Sequence, residues 1–263
     1  MGAEDVAPEL VRLWRLPAGS RMGRPAELDV ERVVRAAVAL ADEGGLAKAT
    51  LPKVAEALGY TTMSLYRHVG SKDELLSLMR DQALGPAPAP RADGLEWRAG
   101  LREWALAQAA IYWRHPWLVR LPISSPPRGP NEITWLDAGL RILRETGLDW
   151  PRKLGVIGLL AGQVRSACQQ ALDLADGRRD GGLDQHRAEQ DYGRTMARLV
   201  DAVRCPEAAA MFASGLFEPP PVQETDEPID ADFTFGLDLI LDGVATMMAT
   251  KPAGDRGGGG ARP

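Results

Sequence analysis

Two short helical segments parted by a glycine, with a longer helical segment on either side, constrain this 263-residue chain more than any other feature of its sequence. The first long segment starts at Asp29, a residue type that caps helix N-termini. Val30, Val33, Val34, Ala37, Val38 and Ala41 then recur at three- and four-residue steps until Gly44-Gly45 stops it. Thr50 is a cap for LPKVAEAL, with Pro52 in the first turn where a missing N–H costs nothing, and Gly59 ends that helix after two turns. Thr61 or Thr62 caps a second short helix, MSLYRHV, and Ser71 with Glu74 three residues on is a capping box for KDELLSLMRDQAL. Val54, Leu58, Leu65 and Val69 share an inner face, which leaves Thr62, Met63, Ser64, Tyr66 and Arg67 pointing away from it. This is the geometry of a helix-turn-helix, whose second helix enters a DNA major groove.

Gly85-Pro86-Ala87-Pro88-Ala89-Pro90 reads as a semi-rigid spacer. Beyond it a long helix carries Trp97, Leu101, Trp104, Gln108, Ile111 and Tyr112 as far as His115-Pro116, and Ser124–Pro130 is rich in turn residues. Further helices are expected over 131–146, 151–175, 185–203, 206–215 and 231–250, with a charged loop in Asp173–Asp191 and a proline- and acid-rich loop in Glu218–Asp230. No alternating strand pattern competes, so the expected class is all-α. The expected organisation is a flexible N-terminal arm (1–28), a three-helix helix-turn-helix domain (29–84), a linker (85–94), a larger helical domain (95–250) and a disordered tail (251–263).

Composition removes other classes. The content is 45% hydrophobic and 25% charged, as in an ordinary globular protein, and two cysteines, Cys168 and Cys205, exclude a disulfide framework or a four-thiolate metal site. The start, MGAEDVAPELVRLW, lacks the apolar core of a secretory signal. The longest apolar stretch, near Leu154–Leu160, falls short of the roughly 20 residues a membrane span needs, so a cytoplasmic protein without membrane contact is expected. His68, His115 and His186 are scattered, with no metal-ligand spacing, nucleophile elbow or phosphate loop. No catalytic residue, metal or cofactor is expected. The net charge is −5 but uneven: residues 21–72 carry eight basic and six acidic residues, whereas 205–250 carry nine acids and no Lys or Arg. One end can approach phosphate and the other would be repelled by it.

The run from Val30 to Leu84, above all TTMSLYRHVGSKDELL with its Leu65-Tyr66-x-His68-Val69, Ser71-Lys72 and Glu74-Leu75, resembles the DNA-binding domain of the tetracycline-repressor family of bacterial regulators. Arg114-His115-Pro116-Trp117, Leu140 to Thr146-Gly147, Phe235-Gly236-Leu237 and Ile240-Leu241-Asp242-Gly243 resemble the all-α ligand-binding and dimerisation domain of an actinobacterial-type branch. The resemblance implies that Tyr66 and Lys72 grip phosphates, that Ser64 holds a phosphate or a base, and that Thr62 and Met63 contact bases. Lys72 also brings a helix N-terminus to phosphate. Arg21 and Arg24 form an arm suited to the minor groove. Pro52 stands where many relatives place a polar base reader, which leaves Thr50 and Lys53 for the DNA backbone. Thr61, Arg67 and His68 complete the candidate DNA-binding set, His68 either packing or touching phosphate.

In the larger domain, polar residues interrupt apolar strips: Gln108 on the long helix, and Arg165 with Gln169 one turn on. A buried arginine calls for an anion and a buried glutamine for partners. One reading is a pocket lined by Trp104, Gln108, Tyr112, Trp135, Arg165 and Gln169 that holds a partly aromatic small molecule. The other has Arg165 paired with Asp137, Asp238 or Asp242 and the tryptophans serving as core. The small residues Gly155, Gly158, Gly162 and Ser166, with the apolar face Phe233, Leu237, Ile240, Val244, Met247 and Met248, predict a four-helix interface between two copies. The whole reads as a homodimeric regulator, a repressor on a palindromic DNA operator, released by a small-molecule effector. Control by a protein partner and activation in place of repression are the alternatives.

Overall fold

The computed structural model describes residues 6–17, 28–89, 96–181, 185–218 and 231–249. Every regular element among them is helical: α1 (Pro8–Leu13), α2 (Val30–Gly44), α3 (Leu51–Leu58), α4 (Thr62–Val69), α5 (Lys72–Leu84), α6 (Trp97–Arg114), α7 (Pro130–Ile142), α8 (Trp150–Gly181), α9 (Gln185–Leu199), α10 (Pro206–Ala213) and α11 (Ala231–Ala249), with 3-10 turns at Pro116–Arg120 and Arg144–Thr146. The chain forms two compact units, 1–168 with 232–263 and 169–231. The linker at 85–94 is therefore not the boundary between them. Its first residues are tied to α7, where the Trp135 indole N–H donates to Gly85 O at 3.0 Å and Ala87 N–H donates to Thr134 Oγ1 at 3.2 Å.

Local chemistry accounts for the helix-turn-helix. The Asp29 carboxylate accepts the Arg32 N–H at 2.7 Å, and α2 buries Val33, Val34, Ala37, Val38 and Ala41. Between α3 and α4 the backbone must take a left-handed turn, and Gly59 supplies it at φ +75. Gly59 N–H then reaches Glu56 O at 3.1 Å and Tyr60 N–H reaches Ala55 O at 2.9 Å, closing the exposed carbonyls of α3. Thr61 caps α4 and Ser71 caps α5 through their hydroxyls. Val54, Leu65, Val69, Leu75 and Met79 are almost wholly buried, each leucine contributing about 1.5–3 kcal/mol of burial.

Several expectations are corrected. Thr50 stands at the N-cap of α3, but its side chain makes no capping bond. The capping box at Ser71 is half made, because the Glu74 carboxylate turns to the Arg12 guanidinium, whose Nη2 lies 2.8 Å from Oε2. Residues 8–13 of the supposed flexible arm are a helix packed on α4 and α5, held by this ion pair and by the buried Leu13. The helix expected over 131–146 stops at Ile142 and gives way to a 3-10 turn ended by the left-handed Gly147. The helix expected to stop at 175 continues to Gly181, into the supposed charged loop. Ala171, Leu172, Leu174 and Ala175 favour helix, no proline interrupts, and Gly177 costs only about 1 kcal/mol. α9 and α10 end sooner than expected, at Leu199 and Ala213. In the second unit Tyr192, Phe212 and Phe217 cluster with ring centroids 5.4–5.7 Å apart. Among the described residues no helix is long and apolar enough to cross a membrane.

Candidate nucleic-acid interface and ligand cavity

The outer face of α4 is built by its inner one. Leu65 and Val69, four residues apart, are fully buried, so helical geometry turns Met63, Tyr66 and Arg67 to solvent. Met63 is 72% exposed and Tyr66 42%, high values for side chains of that size. Thr62, Ser64 and His68 are half-buried, and Lys72 is exposed at the first residue of α5. The Thr61 hydroxyl accepts the Ser64 N–H at 3.3 Å and lies 2.9 Å from the Ser64 hydroxyl, so these two act together in shaping the first turn. On α3, Lys53 Nζ donates to Ala47 O at 3.0 Å, while Thr50 is half-buried. Thr61 to Lys72 thus form one continuous stretch at the start of α4 and of α5. Arg21 and Arg24 lie outside the described residues. No carboxylate interrupts α4 itself, so its outer face offers hydroxyls, an aromatic ring, a thioether and cations.

A cavity of about 610 Å³ opens beside α6, α7 and α8. Trp104, Gln108, Tyr112, Trp135 and Arg165 line it, as expected. Gln169 does not: it is exposed, because the α8 positions that face the cavity run from Ile157 to Arg165 and Gln169 lies a turn past them. Trp104 and Trp135 meet edge to face, centroids 6.1 Å apart at 64°. Both indole N–H groups are satisfied, Trp104 on Trp135 O at 3.1 Å and Trp135 on Gly85 O. Arg165 pairs with none of the three acids proposed for it. Its Nη2 donates to Val119 O at 2.6 Å and to Leu121 O, closing the end of the first 3-10 turn. Asp137 pairs instead with Arg141, Asp238 with Arg98 and Arg102, and Asp242 with Arg98. Burial pushes the Tyr112 phenol up, against the opposing pull of Arg165 and Arg80, so it stays a neutral hydroxyl.

Two junctions between the helix-turn-helix and the cavity were missed in the sequence. At the first, the Asp81 carboxylate of α5 is buried and caps α7: Oδ1 accepts Asn131 N–H at 2.9 Å and Glu132 N–H at 3.1 Å, and the Asn131 amide donates to Asp81 O at 2.9 Å. Burial lifts Asp81 to about 6, more than these donors lower it. Only glycine fits at 129, since a Cβ there would run into Asp81 Oδ1. Next to Asp81, Arg80 pairs with Glu132 at 2.5 Å, and both line the cavity. At the second junction, Asp42 Oδ1 of α2 lies 2.7 Å from His115 Nδ1 and accepts the Trp117 indole N–H at 2.7 Å. Trp117 belongs to the 3-10 turn whose carbonyl Arg165 holds. The available signal was an acid on a buried stripe, Asp81 after Leu75 and Leu78, the same kind of interruption that marked Gln108 and Arg165.

Comparison with known proteins agrees with this division. Residues 33–79 match the model for bacterial regulatory proteins of the tetR family, and residues 88–248 match the model for the tetracyclin repressor-like C-terminal domain. The chain is 35% identical over 257 residues to the HTH-type transcriptional repressor DrrR1 of Streptomyces coeruleorubidus, covering 95% of this chain and 89% of that protein. Among solved structures, it is similar to the Streptomyces coelicolor TetR family protein ActR in complex with actinorhodin, with a TM-score of 0.67, 25% identity, and 85% and 99% of the two chains covered. The same protein in complex with (S)-DNPA gives a TM-score of 0.66 at 24% identity over 84% and 99% of the chains.

Proposed function

This chain belongs to the tetR family of bacterial regulatory proteins and is a transcription regulator, not an enzyme; from that premise we propose that it represses as a homodimer on a two-fold symmetric operator and is released by a small molecule in the cavity of its larger helical part. The observation that carries this reading is the outer face of α4, where Met63, Tyr66 and Arg67 stand in water beside Lys72 at the start of α5. An aromatic hydroxyl and two cations suit phosphates, and Thr62 and Met63 suit base edges, the methionine against a thymine methyl. Thr50, Lys53, Thr61, Ser64 and His68 flank that face. Similarity to a repressor and to a protein crystallised with actinorhodin supports repression and effector control.

A second copy fits the apolar surface that α8 and α11 leave uncovered. Leu154, Leu159, Phe235 and Leu239 are exposed large hydrophobics, and space beside Gly155 and Gly243 is open. Two recognition helices in such a dimer read half-sites about 34 Å apart or a little more. The two junctions give the cavity its hold on them: Arg80 and Asp81 reach α5 directly, and Arg165 reaches α2 through the 3-10 turn and Asp42. An effector releases DNA only by binding the non-DNA arrangement more tightly; equal affinity shifts nothing.

The test is selection of bound sequences from random DNA by the purified full chain. The expected product is a palindrome whose half-sites lie about one helical turn apart. Enrichment of no sequence, or of a site without two-fold symmetry, contradicts the reading.

A further inference from the structure

The charge lining the cavity is unbalanced. Its ionisable side chains, apart from the neutral Tyr112, are Arg80, Arg165 and Glu132. Arg80 and Glu132 neutralise one another in a direct pair, and Glu132 also accepts the Arg128 and Gly129 N–H groups, each at 2.9 Å. Arg165 is left with a positive charge that meets no carboxylate among the described residues, only the carbonyls of Val119 and Leu121. Both of those bonds leave from Nη2, so Nε and Nη1 donate to no protein acceptor among the described residues. Carbonyl dipoles fix the plane of the guanidinium without cancelling its charge. A part-buried guanidinium held in place with unused N–H groups is a preorganised site for a planar, two-oxygen anion. Opposite it lie the edge-to-face indoles of Trp104 and Trp135, which offer apolar ring surface to a flat molecule. A volume of about 610 Å³ accommodates several fused rings.

We propose that the effector is a flat, multi-ring aromatic molecule carrying a carboxylate or a comparably ionised oxygen, with its rings against Trp104 and Trp135 and its anion on Arg165. This rests on the reading that the cavity is the effector site. The same contact couples binding to output, because Arg165 holds the turn whose Trp117 is bonded to Asp42 of α2. An anion that draws the guanidinium inward loosens its grip on Val119 and Leu121.

The experiment is a fluorescence titration of the full chain with two near-isosteric probes, anthracene-2-carboxylate and anthracene-2-methanol, at neutral pH. A charge-assisted hydrogen bond makes the carboxylate bind wild-type protein about tenfold more tightly than the alcohol. Arg165→Met brings the two affinities together by weakening the acid alone, and Arg165→Lys keeps part of the preference. Equal affinities in wild type, or a preference for the alcohol, overturn the anionic class, and the wild-type comparison decides even if Arg165→Met does not fold. Equal weakening of both probes in a folded Arg165→Met overturns it too, since that marks a merely structural arginine. Ala161→Trp fills the cavity and abolishes binding of both probes. If neither probe binds wild type, or both bind Ala161→Trp unchanged, the cavity reading itself fails and the proposal with it.

Discussion

The outer face of α4 and the wall of the cavity hold their polar groups in opposite ways. On α4, Met63, Tyr66 and Arg67 project into water, and the helix is positioned entirely from its other side by Leu65 and Val69. In the cavity nearly every polar group is engaged by protein: Arg80 by Glu132, Arg165 by two carbonyls, and the indoles of Trp104 and Trp135 by backbone oxygens. A surface meant for a polyanion can wait solvated at little cost, whereas a hollow inside a helical bundle must be propped open by satisfied groups. Substitutions on α4 should therefore change recognition alone, and substitutions in the cavity should change stability as well.

The sharpest break of that comparison is Trp135→Ala. Its side chain is buried, touches Trp104 and ties Gly85, so its removal lowers stability by about 3–5 kcal/mol in urea unfolding and also removes ligand binding. A loss under about 1 kcal/mol would put the cavity wall in the same class as α4 and defeat the distinction.

Asp81 comes next. It ionises at about 6 in the folded chain against 3.8 ordinarily, because burial disfavours its charge. The folded state therefore binds the proton more tightly, and the stability this gives is present below pH 4 and lost as pH rises through 6. The linkage reaches up to about 3 kcal/mol, the shift of roughly two pH units converted at about 1.4 kcal/mol each. Asp81→Asn keeps an acceptor for Asn131 and Glu132 but does not titrate. Urea unfolding between pH 4 and 7 should show a decline in wild type that the variant lacks; parallel curves would remove Asp81 as the cause.

Tyr66→Phe, one residue from the buried Leu65, is the opposite case. Stability should stay within about 0.5 kcal/mol while affinity for operator and non-operator DNA falls together, about tenfold, as one phosphate bond per subunit is lost. A change in sequence preference would mean that Tyr66 reads bases. The smallest effect belongs to Gln169→Ala, which leaves probe binding unchanged because Gln169 lies outside the cavity.

These two regions also differ in how legible they were. The helix-turn-helix announces itself through local rules: caps at Asp29, Thr61 and Ser71, a left-handed glycine at 59, and a three-to-four-residue period that sorts α4 into two faces. The cavity depends on residues far apart in the chain. Five of its six expected residues line it because each interrupts or marks an apolar strip. Gln169 failed because a helical period says which side a residue faces and nothing about where the hollow ends. Asp81 with Asn131, Asp42 with Trp117 and Arg12 with Glu74 are pairs separated by 50, 75 and 62 residues, and no local signal pairs them. Arg12 shows the point most plainly: a segment that reads as a loose arm becomes α1 once Glu74 is there to receive it.

The account stands or falls on the face that begins at α4 and ends at Lys72, and the direct measurement is a DNA titration over a salt series with wild-type protein and Lys72→Ala. Each lost phosphate contact reduces the slope of log affinity against log salt by about 0.9, so a dimer lacking both Lys72 side chains should show a slope lower by nearly 2, with weaker binding to every sequence. An unchanged slope and affinity in the variant would show that Lys72 touches no phosphate and that the DNA lies somewhere else.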